Sequence, residues 1–160
     1  MQNIIKILFV CHGNICRSPM AEFIMKDMVS KLGIADQFEI ASAATSTEEI
    51  WNGIGNPVYP PAKEELAKHG IHCSRKRARQ LCKQDYDKYD YLIGMDSANI
   101  RNIEKIVSHK NEKIYKLLEF ADSQADVADP WYTRNFEKTY QDIKKGCEAF
   151  LLYLKRKEEK

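Results

Sequence analysis

The chain has 160 residues, of which 44% are hydrophobic and 30% are charged, and its formal net charge is +2. These values are typical of one globular domain that buries a core without disulfides or metal, and the charge is too small to indicate a nucleic-acid partner. No apolar stretch approaches the ~20 residues of a membrane span. The apolar residues 4–10 are not followed by a signal-peptide cleavage site. We therefore predict a single cytoplasmic domain over residues 1–160 with no membrane partner.

The N-terminal third is predicted to form a strand, a short loop, a helix and a second strand. Residues 4–10 are an apolar run, and a loop follows over residues 11–18. Pro19 suits the first helical position, Ser18 is placed to cap it, and Gly33 ends the helix. Its apolar face has spacings of three and four, with Met20, Phe23, Ile24, Met28 and Leu32. Residues 38–42 then alternate as a strand.

The remaining elements alternate between helices and strands. Glycine and proline are so dense in residues 45–61 that we predict a long functional loop without regular structure. We then expect helices over residues 62–69 and 134–157, a further helix capped by Ser97, and strands over residues 89–95 and 113–118. This alternation predicts a parallel sheet covered by helices on both faces. Ligands bind such sheets at the carboxyl ends of the strands, where the loop of residues 11–18 lies.

That loop combines a cysteine, an arginine and the start of a helix. A strand-to-helix loop points backbone N–H groups and the positive end of the helix dipole at one place, which suits phosphate. Cys11 is the predicted nucleophile, because thiols ionise readily at helix N-termini beside cations, and Arg17 can hold phosphate oxygens bidentately. Five residues between them can wrap a tetrahedral group: His12, Gly13, Asn14, Ile15 and Cys16. The sequence therefore predicts phosphoryl transfer to sulfur.

The reaction also needs a proton donor for the leaving oxygen. Among the 23 acidic residues, we select Asp129, because it follows the fourth predicted strand and should lie at the same end of the sheet as Cys11. Trp131 and Tyr132 follow it and could form a wall against an aryl leaving group. Ser18 has two possible roles, either as a helix cap or as a donor to the sulfur of Cys11.

These features resemble the low-molecular-weight protein tyrosine phosphatases. Residues 11–19 are similar to the phosphate loop of that family, and Asp129-Pro130 is similar to its general-acid motif. Further similar segments spread the resemblance over nearly the whole chain, at residues 42–46, 69–71, 78–80 and 95–99. One difference is that Trp131-Tyr132 stands where members often carry two tyrosines.

The resemblance implies an α/β domain with a four-stranded parallel sheet, helices on both faces and a hydrolysis that uses no metal or other cofactor. Cys11 would take the phosphoryl group while Asp129 protonates the phenol, and Asp129 would then activate water. Asn14, Ser18 and Ser42 would form the hydrogen-bond network that shapes the loop. Cys16 would be a reversible disulfide partner of Cys11, with a packed core residue as the alternative. The expected substrates are phosphotyrosine proteins or small aryl phosphates, and the expected state is a monomer.

Other interpretations stay open for several residues. A thiol-relay arsenate reductase would use Cys82, but Tyr89 stands seven residues on, where a second relay cysteine is needed. A phosphate-binding module without turnover is a further alternative. We interpret the basic residues 75–79 as a solvated face rather than a site for acidic proteins or nucleic acid. The remaining expectations are a structural role for His69, His72, Cys73 and Cys147, and a substrate wall that includes Trp51, with Tyr59 a weaker candidate.

Overall fold

A four-stranded parallel sheet organises the fold. In the computed structural model, which describes residues 3–73, 75–108 and 112–158, its strands are β1 (Ile5–Cys11), β2 (Phe38–Ala44), β5 (Tyr91–Gly94) and β6 (Ile114–Lys116), and their order across the sheet is β2-β1-β5-β6. All three pairings are parallel. The carboxyl ends of the strands therefore share one edge of the sheet, and Cys11 lies there as the last residue of β1.

Helices cover both faces of this sheet. They are α1 (Arg17–Lys31), α2 (Pro60–Lys68), α3 (Asp85–Lys88), α4 (Ser97–Val107), α5 (Pro130–Thr133) and α6 (Phe136–Glu158). Because side chains alternate along a strand, Ile7 and Phe9 pack into one core with α1 and α6, whereas Leu8 and Val10 pack into a second core with α4. The predicted fold class, with four parallel strands between helical layers, is confirmed.

The prediction of no regular structure in residues 45–61 is wrong. A short antiparallel hairpin joins β3 (Ile50–Trp51) to β4 (Ile54–Gly55). Its two turn residues, Asn52 and Gly53, have φ values of 51° and 75°, which is the backbone that a tight hairpin turn requires. The prolines do not precede α2 but start it, since proline fits the first helical turn.

Two predicted helix caps are also wrong. Helix α1 begins at Arg17, so Ser18 lies inside its first turn, and the N-cap Cys16 makes no side-chain cap bond. Helix α4 is capped by Asp96 rather than Ser97, with the Asp96 carboxylate accepting from the backbone N–H of Asn99 at 2.7 Å. In both cases the start lies one or two residues earlier than the sequence signals indicate.

Three of the basic side chains in residues 75–79 also bind the protein, and the solvated-face interpretation is wrong for Lys76, whose side chain is only 12% exposed, whereas Arg75 and Arg77 are exposed as predicted. Lys76 Nζ donates to the carbonyl of Ser42, and Arg77 donates to that of Gly55. Arg79 binds both carboxylate oxygens of Asp85. The run therefore fastens the segment before α3 to strands β2 and β4.

The structural role predicted for His69 is confirmed. Its ring stacks on Tyr140 with a centroid distance of 3.7 Å and an interplanar angle of 4°, and it hydrogen-bonds to the buried Glu65. Cys73 and Cys147 are buried in the core, as predicted. Within the described residues, no helix combines the length and the apolar character needed to cross a membrane.

Candidate active site

Residues 11–18 connect β1 to α1 in a loop that closes around the sulfur of Cys11. The backbone N–H groups of Asn14 and Ser18 point at this sulfur, with distances of 3.3 and 3.4 Å from N to Sγ. Asn14 supports the tight curvature with a left-handed backbone, φ 59°, which asparagine tolerates better than most residues. The sulfur therefore faces convergent backbone dipoles, which stabilise a thiolate.

Three carbonyl groups of the loop bind neighbouring segments outside it. Those of Cys11 and His12 accept from the backbone N–H groups of Thr45 and Ser46 at 3.0 and 2.9 Å, and that of Ile15 accepts from Tyr59 at 2.9 Å. With the carbonyls held outward by neighbouring segments, the N–H groups face inward. Such a loop is an anion-binding concavity.

Asn14 is the centre of a buried hydrogen-bond network. Its Nδ2 donates to Ser18 Oγ at 2.8 Å and to Ser42 Oγ at 2.9 Å, and its Oδ1 accepts from the backbone N–H of Arg79 at 3.1 Å. Because Ser18 Oγ accepts from Asn14, its own hydrogen can donate to Cys11 Sγ, which lies 3.0 Å away. The grouping of Asn14, Ser18 and Ser42 is as the resemblance implied.

The network ends at a buried carboxylate that the sequence analysis missed. Ser42 Oγ donates to Glu22 at 2.5 Å, and Glu22 also pairs with Lys26 at 2.6 Å and Lys76 at 3.5 Å. Burial lowers the pKa of Lys76 despite the opposing effect of Glu22. An acidic residue on the core-facing side of α1 was the one available signal for this position.

Arg17 lies next to the loop and is almost completely buried, with 3% of its side chain exposed. Its Nη1 donates to the Asp96 carboxylate at 2.7 Å and to the carbonyl of Val127 at 2.8 Å. Although burial opposes its charge, the negative charges of Cys11 and Asp96 raise the pKa of Arg17. The guanidinium is thus a fixed cation. Asp96 was not predicted, although its position directly after a buried parallel strand was a signal for this edge of the sheet.

Asp129 lies at the same edge, as its place in the chain predicted. Its Oδ2 is 3.5 Å from Arg17 Nη2, while its Oδ1 accepts from the backbone N–H of Trp131 at 2.9 Å and caps α5. The carboxylate is only partly exposed. One carboxylate oxygen of Asp129 therefore caps α5. The other oxygen lies beside Arg17, on the side of the phosphate loop.

The aromatic residues predicted to contact substrate differ in packing and exposure. The Trp131 ring packs on Tyr59 with centroids 4.9 Å apart, and Tyr59 in turn contacts Phe136 and accepts a hydrogen bond from Arg134. Trp51 and Tyr132 are 80% and 81% exposed. Trp131 thus forms a fixed wall near Asp129, while Trp51 on the hairpin and Tyr132 on α5 are available for contacts with a larger molecule.

The rim of the loop carries a polar pair on its exposed side. His12 Nε2 lies 2.9 Å from Glu48 Oε2, and both side chains are mostly exposed. A side chain added at Gly13 would approach Glu49 Cγ to 3.2 Å, so glycine leaves space for the segment that carries these acids. Neither Glu48 nor Glu49 was predicted as part of the site.

The two cysteines with open roles differ in environment. Cys16 is buried, and burial together with the charge of Cys11 raises the pKa of its thiol, so Cys16 is protonated where Cys11 is the nucleophile. Cys82 is exposed and its thiol points at Asp85, 3.4 Å away. Cys82 therefore belongs to the hydrogen-bonded turn before α3.

Comparison with known proteins gives one family. A family model described as low molecular weight phosphotyrosine protein phosphatase matches residues 6–160. The low molecular weight protein-tyrosine-phosphatase YfkJ of Bacillus subtilis is 41% identical over 158 residues, which is 97% of this chain and 99% of that protein. The low molecular weight phosphotyrosine protein phosphatase of Mus musculus is 40% identical over 151 residues, covering 91% and 92%.

Solved structures agree with these relatives. The crystal structure of YfkJ superposes with a TM-score of 0.90 and covers 97% of each chain. That of SP-PTP, a low molecular weight protein tyrosine phosphatase from Streptococcus pyogenes, has a TM-score of 0.83, an identity of 41%, and coverage of 94% of this chain and 93% of that one.

Proposed function

The chain belongs to the low molecular weight phosphotyrosine protein phosphatase family, and on that premise we propose that Cys11, Arg17 and Asp129 hydrolyse phosphotyrosine in two steps. One observation carries the assignment of these residues. The buried Arg17, six residues after Cys11, lies 3.5 Å from Asp129, so the nucleophile loop, a cation for phosphate oxygens and a carboxyl group meet at one edge of the sheet.

In the first step the thiolate of Cys11 attacks phosphorus while the bond to the phenolic oxygen breaks. Loop N–H groups and Arg17 stabilise the charge on the three equatorial oxygens. Asp129 starts protonated and gives its proton to the leaving phenolate, so that a neutral phenol departs. The products of this step are phosphocysteine and an ionised Asp129.

In the second step water attacks the phosphocysteine. Asp129 now accepts a proton from the attacking water, and the sulfur of Cys11 leaves as a thiolate. Ser18, 3.0 Å from that sulfur, donates a hydrogen bond that stabilises the negative charge. Inorganic phosphate leaves and both groups return to their starting protonation states, which predicts a bell-shaped pH profile on the acid side of neutrality.

The aryl group of the substrate would lie against Trp131. This ring is held in place by Tyr59, so it can stack on a phenol without a large loss of side-chain entropy. Trp51 and Tyr132 are mostly exposed and would contact the residues that flank phosphotyrosine in a protein. We expect Trp131→Ala to raise KM for para-nitrophenyl phosphate severalfold, and Trp51→Ala to affect phosphopeptides more than this small substrate.

The central test is turnover of para-nitrophenyl phosphate and a phosphotyrosine peptide by the purified protein and two variants. Cys11→Ser removes the nucleophile and should abolish turnover of both substrates. Asp129→Asn keeps the cap of α5, since asparagine is as good a cap as aspartate, but removes the acid. Undiminished activity of Cys11→Ser would disprove the mechanism, and a normal rate of Asp129→Asn on the phosphotyrosine peptide, whose leaving group needs a proton, would exclude Asp129 as the acid.

The alternatives from the sequence are not favoured. The relatives are named as phosphatases, and the Cys82 thiol points at Asp85 in a turn rather than toward a second relay cysteine. An arsenate reductase would oxidise thiols in the presence of arsenate, so a thioredoxin-coupled assay that shows no arsenate-dependent turnover excludes it. Phosphopeptide binding without phosphate release would instead indicate a module without turnover.

We propose that the enzyme works as a cytoplasmic monomer. Every side chain of the proposed machinery comes from one chain, and none of the five cysteines, all within the described residues, forms a disulfide, which fits a reducing compartment. Light scattering after size-exclusion chromatography tests the monomer. Cell fractionation tests the compartment.

A further inference from the structure

The segment that carries Asp129 has little packing of its own. Residues 123–129 form no helix or strand, and within this stretch, all of which the structure describes, only Val127 is buried. Fixing the backbone of one residue costs about 1–2 kcal/mol of conformational entropy. Hydrogen bonds from the surrounding elements must therefore hold most of this segment, called here the acid loop, in place.

Lys116 supplies several of those bonds from one side chain. It is the last residue of β6, and only 16% of its side chain is exposed. Its Nζ donates to the carbonyl of Gln124 at 2.7 Å and to the carboxylate of Asp126 at 2.9 Å, and it lies 3.3 Å from Ser97 Oγ. One cation thus joins the end of the sheet, the start of α4 and two residues of the acid loop.

Asp126 completes this link from the other side. Its Oδ1 accepts from both the backbone N–H and the hydroxyl of Ser97, in addition to Lys116. Partial burial opposes its charge, but these bonds outweigh it, and the pKa of Asp126 lies below the ordinary value. The same bonds that hold the carboxylate in place therefore favour its charged form.

Val127, the next residue, binds the acid loop to the elements that hold the catalytic groups. The backbone N–H of Val127 donates to the carbonyl of Met95 at 2.9 Å, and its carbonyl accepts from Arg17. Asp129 follows two residues later. Along the acid loop, Lys116 thus binds Gln124 and Asp126, and Arg17 binds Val127. The proposed acid, Asp129, comes after these bound residues.

We propose that Lys116 is a positioning residue that holds the acid loop so that Asp129 reaches the leaving oxygen of the substrate. This inference rests on the proposed role of Asp129. Lys116 Nζ is bonded to Ser97, Gln124 and Asp126, and it acts on Asp129 through the acid loop. Misplacement of a reacting group by about 1 Å can cost up to about a hundredfold in rate, so loss of this link should weaken proton donation without removing the acid.

Proton donation can be measured through the leaving group. Phenyl phosphate releases a phenolate whose conjugate acid is about as weak as a tyrosine side chain, with a pKa of about 10, so its release needs the acid. Para-nitrophenol is a much stronger acid, and its phenolate leaves with little help. The ratio of kcat/KM for these two substrates therefore reports how well Asp129 is placed.

The experiment compares Lys116→Met with Lys116→Arg and with Lys113→Met. Lys113 precedes β6, and its Nζ binds the carbonyl of Tyr86 at 2.7 Å, so Lys113→Met removes a similar lysine bond on another part of the sheet. We expect Lys116→Met to lose about tenfold in kcat/KM for phenyl phosphate and less than about twofold for para-nitrophenyl phosphate. Lys116→Arg should keep most of the activity that Lys116→Met loses. Lys113→Met should leave the ratio of kcat/KM for the two substrates unchanged.

Inhibition by inorganic phosphate separates the acid loop from the phosphate loop. Because Arg17 keeps its bond to Asp96 when Lys116 is replaced, the inhibition constant for phosphate should change by less than about twofold. Equal losses on both substrates, or no loss on either, would overturn the proposal. If Lys116→Met does not fold, Asp126→Asn removes the charge of the other partner in the same ion pair. The two substrates are then compared in the same way.

Asp129→Asn distinguishes failure of this inference from failure of the proposed function. Where Asp129 is the acid, this variant loses phenyl phosphate turnover selectively, and a Lys116 variant that lacks the selective loss then overturns only the positioning role. A variant Asp129→Asn without selective loss overturns the proposed acid, and the positioning role with it.

Discussion

The hydroxyl of Ser18 and the sulfur of Cys11 lie 3.0 Å apart, and Asn14 sets the direction of the hydrogen bond between them. Both N–H bonds of the Asn14 amide are used, one on Ser18 and one on Ser42. Ser18 therefore accepts from Asn14 and keeps its own hydrogen, for which the nearer acceptor is the sulfur, the other being the carbonyl of Ala43 at 3.5 Å. A serine oriented in this way stabilises a thiolate more than a thiol.

Ser18→Ala should therefore slow hydrolysis of the phosphocysteine more than its formation. A hydrogen bond to a charged group contributes about 1.5–3 kcal/mol, which corresponds to a loss of roughly tenfold to a hundredfold in kcat. Rapid-mixing experiments with para-nitrophenyl phosphate would show a larger burst of para-nitrophenol followed by slower turnover. Ser30→Ala, an exposed position in the same helix, is the matched control. A steady-state rate equal to that of the unchanged protein would rule out this role for Ser18.

Asp96 should matter for the transition state more than for phosphate binding. Asp96→Asn keeps the cap of α4, because asparagine caps as well as aspartate, but it removes the charge that orients Arg17 at 2.7 Å. Loss of that charge leaves the guanidinium more available to any anion and less fixed in direction. Since only interactions that strengthen in the transition state raise kcat, we expect kcat to fall about tenfold while inhibition by inorganic phosphate changes by less than about twofold.

Measurements of kcat and of the phosphate inhibition constant on the same preparation check this prediction. Asp122→Asn replaces an exposed carboxylate that lies before the acid loop and serves as the control. A weaker phosphate affinity with an unchanged kcat would show that Asp96 acts on ground-state binding instead.

Glu22 and Lys76 should be coupled in stability. Glu22→Gln leaves the mostly buried Lys76 without its carboxylate, and loss of a charged hydrogen-bond partner costs about 2 kcal/mol. Replacement of both partners by uncharged residues is often much less costly than removal of one. We therefore expect Glu22→Gln to lower the free energy of unfolding by about 2 kcal/mol, and the double variant with Lys76→Met to recover part of that loss. Urea denaturation of the two single variants and the double variant measures the coupling, and strictly additive losses would show that the pair is not coupled.

The sequence predicted those parts of the site that depend on chain connectivity. Cys11, Arg17 and Asp129 could be placed because each lies in or beside a loop that follows a parallel strand. Such loops meet at the carboxyl edge of the sheet. Asp96 and Glu22 each had a local signal for their position, but their partners Arg17 and Ser42 are brought to them by tertiary packing. Contacts of this kind depend on how α1 and α4 pack, which no local pattern encodes.

The other errors arose because single residues were interpreted by their local propensity alone. Gly53 was counted as a breaker, yet its positive φ forms the turn of the hairpin. Ser18 was considered a cap, yet contacts with Asn14 and Cys11 of the same loop occupy its hydroxyl. The basic residues were interpreted as solvated, although Asp85 and the carbonyls of Ser42 and Gly55 bind them. Ser18 and Arg79 have partners within seven residues in the chain, whereas the partners of Lys76 and Arg77 lie 34 and 22 residues away, and local propensity identified neither kind of partner.

Asp85 should make stability depend on acid pH through its link to the active site. Burial alone would raise the pKa of Asp85, but hydrogen bonds from Arg79 and from the backbone of Cys82 lower it below its usual value, and the backbone of Arg79 in turn holds Asn14. A lowered pKa in the folded state means that this contribution to stability is complete above the unfolded value of about 3.9 and is lost as the pH falls through the folded value. Asp85→Asn should therefore lower the free energy of unfolding by about 2 kcal/mol at neutral pH, and the difference from the unchanged protein should shrink below about pH 4. Urea titrations between neutral pH and the acid limit check this sign, with Asp87→Asn, an exposed neighbour in the same helix, as the control. A difference that stays constant over the whole range would show that the ion pair with Arg79 is not the source of the stability.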